Sequence, residues 1–150
     1  MIRGFQKVSD SFRQHPDKEI TLPTRGTKYS AGYDFYSPIA FEVEPHGTYK
    51  LAFDVKACMQ EGEVLQLYIR SSIGIKKGLT LANSVAIIDK DYHNNPSNDG
   101  GILAVFHNNT NQFVVIEEGE RLIQGLFTSF LVAYNGNTEN LRVGGVGSTT

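Results

Sequence analysis

Residues 83–92 read NSVAIIDKDY, an apolar segment that runs directly into two acids and a tyrosine. The residues from Val85 to Ile88 are β-branched or small, which predicts a buried strand. Asp89 follows at once, and the loop HNNPSNDGG at residues 93–101 ends the strand, because proline, glycine and asparagine favour turns. Taken alone, the segment is either a hairpin with a solvated acidic turn or a strand that presents a carboxylate to a site.

Outward from this segment, short apolar runs alternate with turn residues, which predicts a β sandwich or barrel rather than βαβ units. Residues 64–70 alternate between apolar and more polar types, the pattern of a half-buried strand. Only residues 71–78 predict a short helix, with serines suited to capping its start and two lysines near its end. The predicted strands cover residues 31–35, 48–53, 64–69, 79–88 in two pieces, 102–107, 113–116 and 122–134.

Length and composition limit the class of protein. The chain has 150 residues, which suits one domain, and Cys58 is its single cysteine, which favours a reducing compartment. The N-terminal residues are charged, and no apolar run has the length of a signal or membrane segment, so a cytoplasmic protein is expected. A net charge of -2 without a basic block argues against a general nucleic-acid binder.

The sequence does not match the usual patterns of zinc sites, calcium loops or serine nucleophiles. The four histidines form no pair at ligand spacing, and one cysteine cannot build a structural zinc site. A calcium loop starting at Asp89 would have Asn94 instead of glycine at its sixth position and Gly100 instead of an acid at its last. The sequence also lacks the GxSxG pattern of a serine nucleophile elbow.

Two segments carry donors suited to phosphate. Arg70, Ser71 and Ser72 combine a guanidinium, hydroxyls and helix-start amides within one turn. The tail GGVGSTT at residues 144–150 combines glycines with hydroxyl groups, but it lacks the lysine and following helix of a Walker loop. Taken alone, the first is a cap with a surface arginine and the second is a flexible terminus.

Five segments in order resemble the five motifs of the homotrimeric dUTPase family: AGYDFYS, RSSIG, NSVAIIDKDY, GERLIQ and RVGGVGST, starting at Ala31, Arg70, Asn83, Gly119 and Arg142. The resemblance implies an all-β, distorted jelly-roll barrel with one short helix. It divides the chain into a barrel domain at residues 1–139 and a flexible, glycine-rich arm at 140–150 that closes over an active site. It further implies a homotrimer with three shared sites.

The activity implied by the resemblance is Mg²⁺-dependent hydrolysis of dUTP to dUMP and pyrophosphate. Such an enzyme limits uracil in DNA and supplies dUMP for thymidylate synthesis. Asp89 would deprotonate the water that attacks the α-phosphorus, and Tyr92 would lie beneath the deoxyribose and leave no room for a 2′-hydroxyl. The Asn83 side chain and the backbone through Ile87 and Ile88 would pair with uracil in a hairpin.

The resemblance also implies which residues hold the phosphates. One subunit would supply Arg70, Ser71, Ser72 and Gly74, and another would supply Gln124. The arm of a third subunit would bring Arg142, Gly145, Ser148 and Thr149. Mg²⁺ would be held mainly by the triphosphate, without a dedicated set of protein ligands, and Asp34 would support the site through water or Arg70.

Four features depart from the family pattern. Val146 stands where a phenylalanine usually stacks on uracil, and Phe106, Phe113 or an aromatic residue of another subunit are the candidates to replace it. Arg142 sits one residue closer to the glycines than is usual. Ala86 stands where glycine is common. The loop at residues 93–101 is longer than usual, which suits either a tolerated insertion or contact with a lid or protein partner.

Two other functions are compatible with the sequence. The related dCTP deaminases share the barrel, but their catalytic glutamate would fall at Val105, which cannot activate water. A nucleotide sensor or regulatory protein without catalysis could also use this fold, because a fold does not determine function. The departures at Val146, at Arg142 and in the 93–101 loop motivate this second alternative.

Overall fold

The computed structural model describes residues 2–147 and 149, and their regular structure is almost entirely β. Within these residues, twelve strands form four antiparallel sheets, in the orders β1-β6, β5-β10-β8, β11-β4 and β2-β3-β12-β7-β9. The all-β prediction is therefore confirmed. The strands are β1 Gly4–Lys7, β2 Thr24–Arg25, β3 Tyr33–Tyr36, β4 Phe41–Val43, β5 Thr48–Ala52, β6 Val55–Cys58, β7 Glu63–Ile69, β8 Leu79–Leu81, β9 Ala86–Ile88, β10 Leu103–Asn108, β11 Val114–Ile116 and β12 Arg121–Ser129.

Strand β12 is the centre of the five-stranded sheet. It pairs with β7 along its length, from Ile123 opposite Ile69 to the strand end, and with β3 on its other side. This register places Gln124 directly between Asp34 and Tyr68. Because directly paired residues share a face of the sheet, the polar side chains of Asp34 and Gln124 lie together.

The core is built from the inward faces of these sheets. Phe35 of β3 is almost fully buried and packs edge-on against Phe5 and Phe53, each at a ring-centroid distance of 5.4 Å. Such edge-to-face pairs add about 0.5–1.5 kcal/mol beyond the burial of their apolar area. The barrel therefore supplies a rigid base for the loops at its surface.

The segment at residues 79–88 connects two sheets. As predicted, residues 79–88 form two strands, but β8 pairs with β10 and β9 pairs with β7, so they are not a hairpin. The chain turns at Ser84, which has a positive φ of 64°. Ala86 is not among the described residues with positive φ, so alanine is compatible with the backbone where glycine was expected.

Four strands were missed by the sequence analysis: β1, β2, β4 and β6. Strand β6 shows the physical reason, because Val55, Lys56 and Ala57 are all buried and the alternation of a half-buried strand is absent. The Lys56 ammonium is neutralised by Asp99, to which its Nζ donates at 2.9 Å. A buried lysine is tolerated when such a partner is present.

The predicted strand at residues 122–134 is wrong at its C-terminal end. Strand β12 ends at Ser129, and the following apolar residues are largely in solvent, with Leu131 98% and Tyr134 96% exposed. Their apolar character had extended the sequence prediction. An apolar run left in solvent is a typical feature of a contact surface.

The predicted helix at residues 71–78 is a single π-helical turn, Ser72–Lys76, with Ile73 buried beneath it. Ser71 occupies the N-cap position, but its side chain makes no capping hydrogen bond, so the predicted serine cap is not formed. The other helical turns are Asp10–Phe12 and Lys90–Tyr92. In the part of the chain that the structure describes, no helix has the length and apolar character needed to cross a membrane.

Replacing Asn108 should destabilise the fold strongly. Its buried side chain donates to the carbonyls of Val43 and Gln112 at 3.0 and 2.8 Å and accepts from the Thr110 amide at 2.9 Å. Asn108→Ala removes these three buried hydrogen bonds at once, so the free energy of unfolding should fall by about 2–4 kcal/mol in urea titration. Gln112→Ala, an exposed change in the same loop, should stay within about 0.5 kcal/mol of wild type. Equal unfolding midpoints for the two variants would contradict this account.

Candidate active site

Asp89 lies where strand β9 ends. Ile88 is buried in the sheet, and Asp89 begins the helical turn Lys90–Tyr92, which closes with a hydrogen bond from the Tyr92 amide to the Asp89 carbonyl at 3.1 Å. The side chain of Asp89 is 53% exposed. The end of the strand thus fixes the backbone, while the carboxylate faces solvent.

The arm at the C-terminus meets this carboxylate. Arg142 donates from Nη2 to Asp89 Oδ2 and from Nε to Asp91 Oδ1, both at 2.8 Å. The hydrogen bond to Asp91 and the charges of both acids raise the pKa of Arg142, against the effect of its own burial. In this single chain the arm therefore lies across its own barrel, held at its arginine.

Tyr92 is buried beside these acids, with 5% of its surface exposed. Its hydroxyl donates to the Gly101 carbonyl at 2.8 Å and accepts from Asn98 Nδ2 at 2.9 Å. Burial raises the pKa of the phenol, against smaller opposing effects of Asn98 and Arg142. The Arg142 guanidinium lies 5.7 Å from the ring centroid, close enough for a cation–π contact.

A cavity of about 450 Å³ joins these groups to the connection between β8 and β9. Its volume is within the range of small-molecule sites. A second, larger hollow is also lined by Asp89, Arg142 and Thr149. The predicted site residues that line the first cavity are Asn83, Ile87, Ile88, Asp89, Tyr92, Arg142, Gly145 and Thr149. Ser148 lies outside the described residues.

A second group of predicted residues surrounds Asp34. Arg70 Nε lies 3.1 Å from Asp34 Oδ1, and Arg121 Nη1 lies 3.3 Å from Asp34 Oδ2. The Arg70 amide also donates to the carbonyl of Leu122, at an irregularity in the register of β12. One largely buried acid therefore orients two guanidinium groups at the edge of the sheet.

The remaining phosphate candidates lie around this group. Ser71 is exposed and Ser72 is half-buried. The amides of Ile73 and Gly74 both donate to the Arg70 carbonyl, so they are used within the turn. Gln124 lies on the same chain and the same sheet face as Asp34, although the sequence analysis expected it to serve the phosphates from a different subunit than Arg70.

The structure thus divides the predicted residues into two groups. Those around Asp89 line the cavity, whereas Arg70, Ser71, Ser72, Gly74, Gln124 and Asp34 do not line it. Two residues that contribute contacts here, Arg121 and Asn98, were not among the site residues predicted from the sequence. Arg121 lies in the GERLIQ segment and contacts Asp34, and Asn98 lies in the 93–101 loop and contacts Tyr92. Both contacts depend on the fold and could not be predicted from the sequence.

The candidates for replacing the missing tail aromatic differ in position. Phe106 is fully buried and packs on Phe41, so it cannot stack on a base in the cavity and this suggestion is wrong. Phe113 lies in a separate hollow beside Lys76 and Lys77. Val146 borders the cavity and is 71% exposed.

Comparison with known proteins identifies the family of the chain. A family model described as dUTPase matches residues 18–150. The deoxyuridine 5′-triphosphate nucleotidohydrolase of Lactococcus lactis is 45% identical over 150 residues, covering 99% of this chain and 97% of the relative.

Solved structures give the same result. The dUTPase of Streptococcus mutans matches with a TM-score of 0.76 and 45% identity, over 87% of this chain and 98% of that one. The dUTPase of phage phi11 of S. aureus, at 20% identity, shares the fold with a TM-score of 0.73 over 94% of this chain and 98% of that one. The chain belongs to the dUTPase family.

Proposed function

We propose that this protein hydrolyses dUTP to dUMP and pyrophosphate, with Mg²⁺ bound to the substrate, by attack of water on the α-phosphorus. The observation that carries the proposal is the position of Asp89. Its half-exposed carboxylate stands at a rigid strand end, between a base-sized cavity and the arginine of the arm. Family membership supports the same reaction.

Asp89 acts as the general base. Its carboxylate accepts a proton from water as the water oxygen bonds to the α-phosphorus, and the bond from that phosphorus to the bridging oxygen breaks. The electron pair of that bond leaves with pyrophosphate. A positioned base of this kind contributes about 10²–10⁴-fold to a rate.

The uracil end of dUTP enters the cavity beside residues 83–88. Asn83 is exposed at the turn and can both donate to and accept from a base. Backbone groups of the same connection complete the pairing. Cytosine presents a donor where uracil presents an acceptor, so it would leave buried polar groups unpaired, which is costly.

The triphosphate binds the group around Asp34. Asp34 fixes the directions of Arg70 and Arg121, and Gln124 on the same sheet face adds an amide donor. Ser71 and Ser72 supply hydroxyls at the start of the helical turn. Oriented guanidinium groups are well suited to phosphate oxygens and to the charge that develops on them.

The described residues fit a magnesium ion that arrives with the triphosphate. Asp34 already pairs with Arg70 and Arg121, so it would support the ion through water or through Arg70. Mg²⁺ commonly takes most of its oxygen ligands from phosphates and water. When bound, the ion would neutralise charge on the phosphates during cleavage.

The site is shared between subunits of a homotrimer. Two observations support this proposal: the Asp34 group does not line the Asp89 cavity of its own chain, and the apolar residues 130–134 are in solvent. A partner subunit would bring the two groups together and cover the apolar segment. In an isolated chain the arm can reach only its own barrel, whereas in a trimer it can close over a neighbouring site.

Asp89→Asn should abolish most turnover while keeping dUTP binding, because the amide retains the shape of the acid but cannot take a proton. Pyrophosphate release with Mg²⁺ should fall at least about 100-fold, while the affinity for dUTP measured by calorimetry changes little. Asp91→Asn is the matched control, since Asp91 is similarly exposed and bonds the same arginine. Its rate should fall far less than that of Asp89→Asn.

The same assay with dCTP, dTTP and UTP, and with EDTA in place of Mg²⁺, separates the alternatives. Selective, magnesium-dependent turnover of dUTP supports the hydrolase. Tight binding without turnover would indicate a nucleotide sensor. The exposed Val146, in place of the usual phenylalanine, is the feature that motivates this alternative. Ammonia release from dCTP would indicate a deaminase, although Val105 gives the cavity an apolar wall where that reaction needs an acid.

Tyr92→Ala should admit UTP, because the ring that would exclude a 2′-hydroxyl is removed. The ratio of kcat/KM for dUTP to that for UTP should fall at least about 10-fold, because the site would no longer exclude the additional hydroxyl group by steric clash. The change also empties buried space, so unfolding should be measured beside it. An unchanged ratio in folded protein would contradict the placement of the sugar on Tyr92.

Mixing two inactive variants should restore activity if sites are shared. Asp89→Asn lacks the base, and Arg142→Ala lacks the arginine of the arm. Heterotrimers formed after co-refolding would contain sites with a normal Asp89 from one subunit and a normal arm from another. Recovery of dUTP hydrolysis in the mixture, but not in either variant alone, is the expected result. No recovery in confirmed heterotrimers would mean that each arm serves its own chain.

A further inference from the structure

Asn98 links the Tyr92 ring to the loop at residues 93–101 and lies against the C-terminal arm. Its Nδ2 donates to the Tyr92 hydroxyl at 2.9 Å, and the same hydroxyl donates to the Gly101 carbonyl at 2.8 Å. The hydroxyl therefore has both a fixed donor and a fixed acceptor. The polar end of the Tyr92 ring is held by the loop at residues 93–101.

The orientation of the Asn98 amide is set by its other bonds. Its Oδ1 accepts from Asn95 Nδ2 at 2.7 Å and from the Gly100 amide at 3.1 Å. Reversing the amide would set donor against donor at both contacts. Asn95 is itself buried and donates to the Tyr92 carbonyl at 2.7 Å, so the network returns to the residue that it holds.

The loop is anchored to the barrel and is not a loose insertion. The buried carboxylate of Asp99 accepts from Ser9 through both its amide and its hydroxyl at 2.8 Å, and from Lys56 Nζ at 2.9 Å. Burial by itself would raise the pKa of Asp99, but hydrogen bonds from Ser9 and Lys56 outweigh it and lower the pKa. Asn98 is therefore held by an ionic anchor one residue away.

The arm reaches the same amide. A Cβ added to Gly145 would lie only 2.9 Å from Asn98 Nδ2, so a glycine allows the arm to lie directly on Asn98. Arg142 of the same arm lies over the Tyr92 ring. The loop and the arm thus meet at Asn98 beside the tyrosine.

We propose that Asn98 is a positioning residue that sets discrimination against the ribose 2′-hydroxyl by fixing the Tyr92 ring. The inference rests on the proposed function, in which this ring lies beneath the sugar. A ring held only by apolar packing can tilt and make room for one oxygen atom. A ring whose hydroxyl is bonded on both sides loses two hydrogen bonds if it tilts, so the sugar pocket keeps its shape.

The test compares the ratio of kcat/KM for dUTP to kcat/KM for UTP in the full-length protein. Asn98→Asp keeps the oxygen that Asn95 and Gly100 use but replaces the donor to Tyr92 with a second oxygen. The single Tyr92 hydroxyl proton can then bond that oxygen or the Gly101 carbonyl but not both, so one of the two hydrogen bonds is lost. Asn98→Ala removes both the oxygen and the donor. In each variant the ratio should fall about 10-fold, mainly through better use of UTP, as expected for losing one buried hydrogen bond. Ser97→Ala is the control, since Ser97 is exposed in the same loop and its hydroxyl has no hydrogen-bond partner among the described residues. Its ratio should match wild type.

Tyr92→Phe tests whether Asn98 acts through the hydroxyl. It should lower the ratio at least as much as Asn98→Ala does, because it removes the hydrogen bonds to both Asn98 and Gly101. The double variant should be no worse than Tyr92→Phe alone, because the contact that Asn98→Ala removes is already absent there. Independent, additive losses would overturn the proposal, as would a wild-type ratio in both Asn98 variants. The phenol pKa of Tyr92, followed by NMR of ring-labelled tyrosine, should rise further in Asn98→Ala since the donor is lost. An unchanged phenol pKa would also overturn it.

The outcomes separate this inference from the proposed function. If wild-type protein does not hydrolyse dUTP, the proposed function fails. If wild type hydrolyses dUTP selectively but both Asn98 variants keep the wild-type ratio, only the role of Asn98 fails. Urea unfolding of each variant shows whether a change in ratio accompanies a loss of fold, and Asn98→Asp keeps the test available if Asn98→Ala does not fold.

Discussion

The pairing of β12 with β7 and β3 is the constraint on which the arrangement of the phosphate-binding group depends. Because side chains alternate along strands, one register determines which polar groups share a face. Here it groups Asp34 with Gln124 and brings the end of β7, and with it Arg70, to the same edge. A slip of one residue would turn these side chains toward the core and bring apolar residues to the surface.

The two carboxylates of the proposed site, Asp34 and Asp89, lie in different electrostatic environments. Asp34 is largely buried and is paired with two arginines, so its charge is neutralised where water is scarce. Asp89 remains half in solvent, with its partner on an arm near the end of the chain. A carboxylate that must accept a proton and approach water needs this second kind of environment. The Asp99 anchor resembles Asp34, and it gives the 93–101 loop the rigidity that a positioning role requires.

Much of the fold could be predicted from sequence because the signals were local. Alternation revealed β7, the turn residues separated β8 from β9, and the order of five short motifs indicated the family. The failures involve contacts between distant residues. Strand β6 contains a buried lysine whose partner, Asp99, is 43 residues away. The loop that holds Asn98 against Tyr92 is anchored through the same Asp99 to Ser9, 90 residues away. The apolar residues after Ser129 have the composition of a strand. A strand also needs a partner strand to pair with, and the sequence does not show whether one is present.

In the proposed reaction, Asp89 directs water to the α-phosphorus of dUTP. The site of attack can be measured by hydrolysing dUTP in water labelled with heavy oxygen and analysing the products by mass spectrometry after a single turnover. The label should appear in the phosphate of dUMP and not in pyrophosphate. Label in pyrophosphate would show attack at the β-phosphorus and would contradict the role given to Asp89.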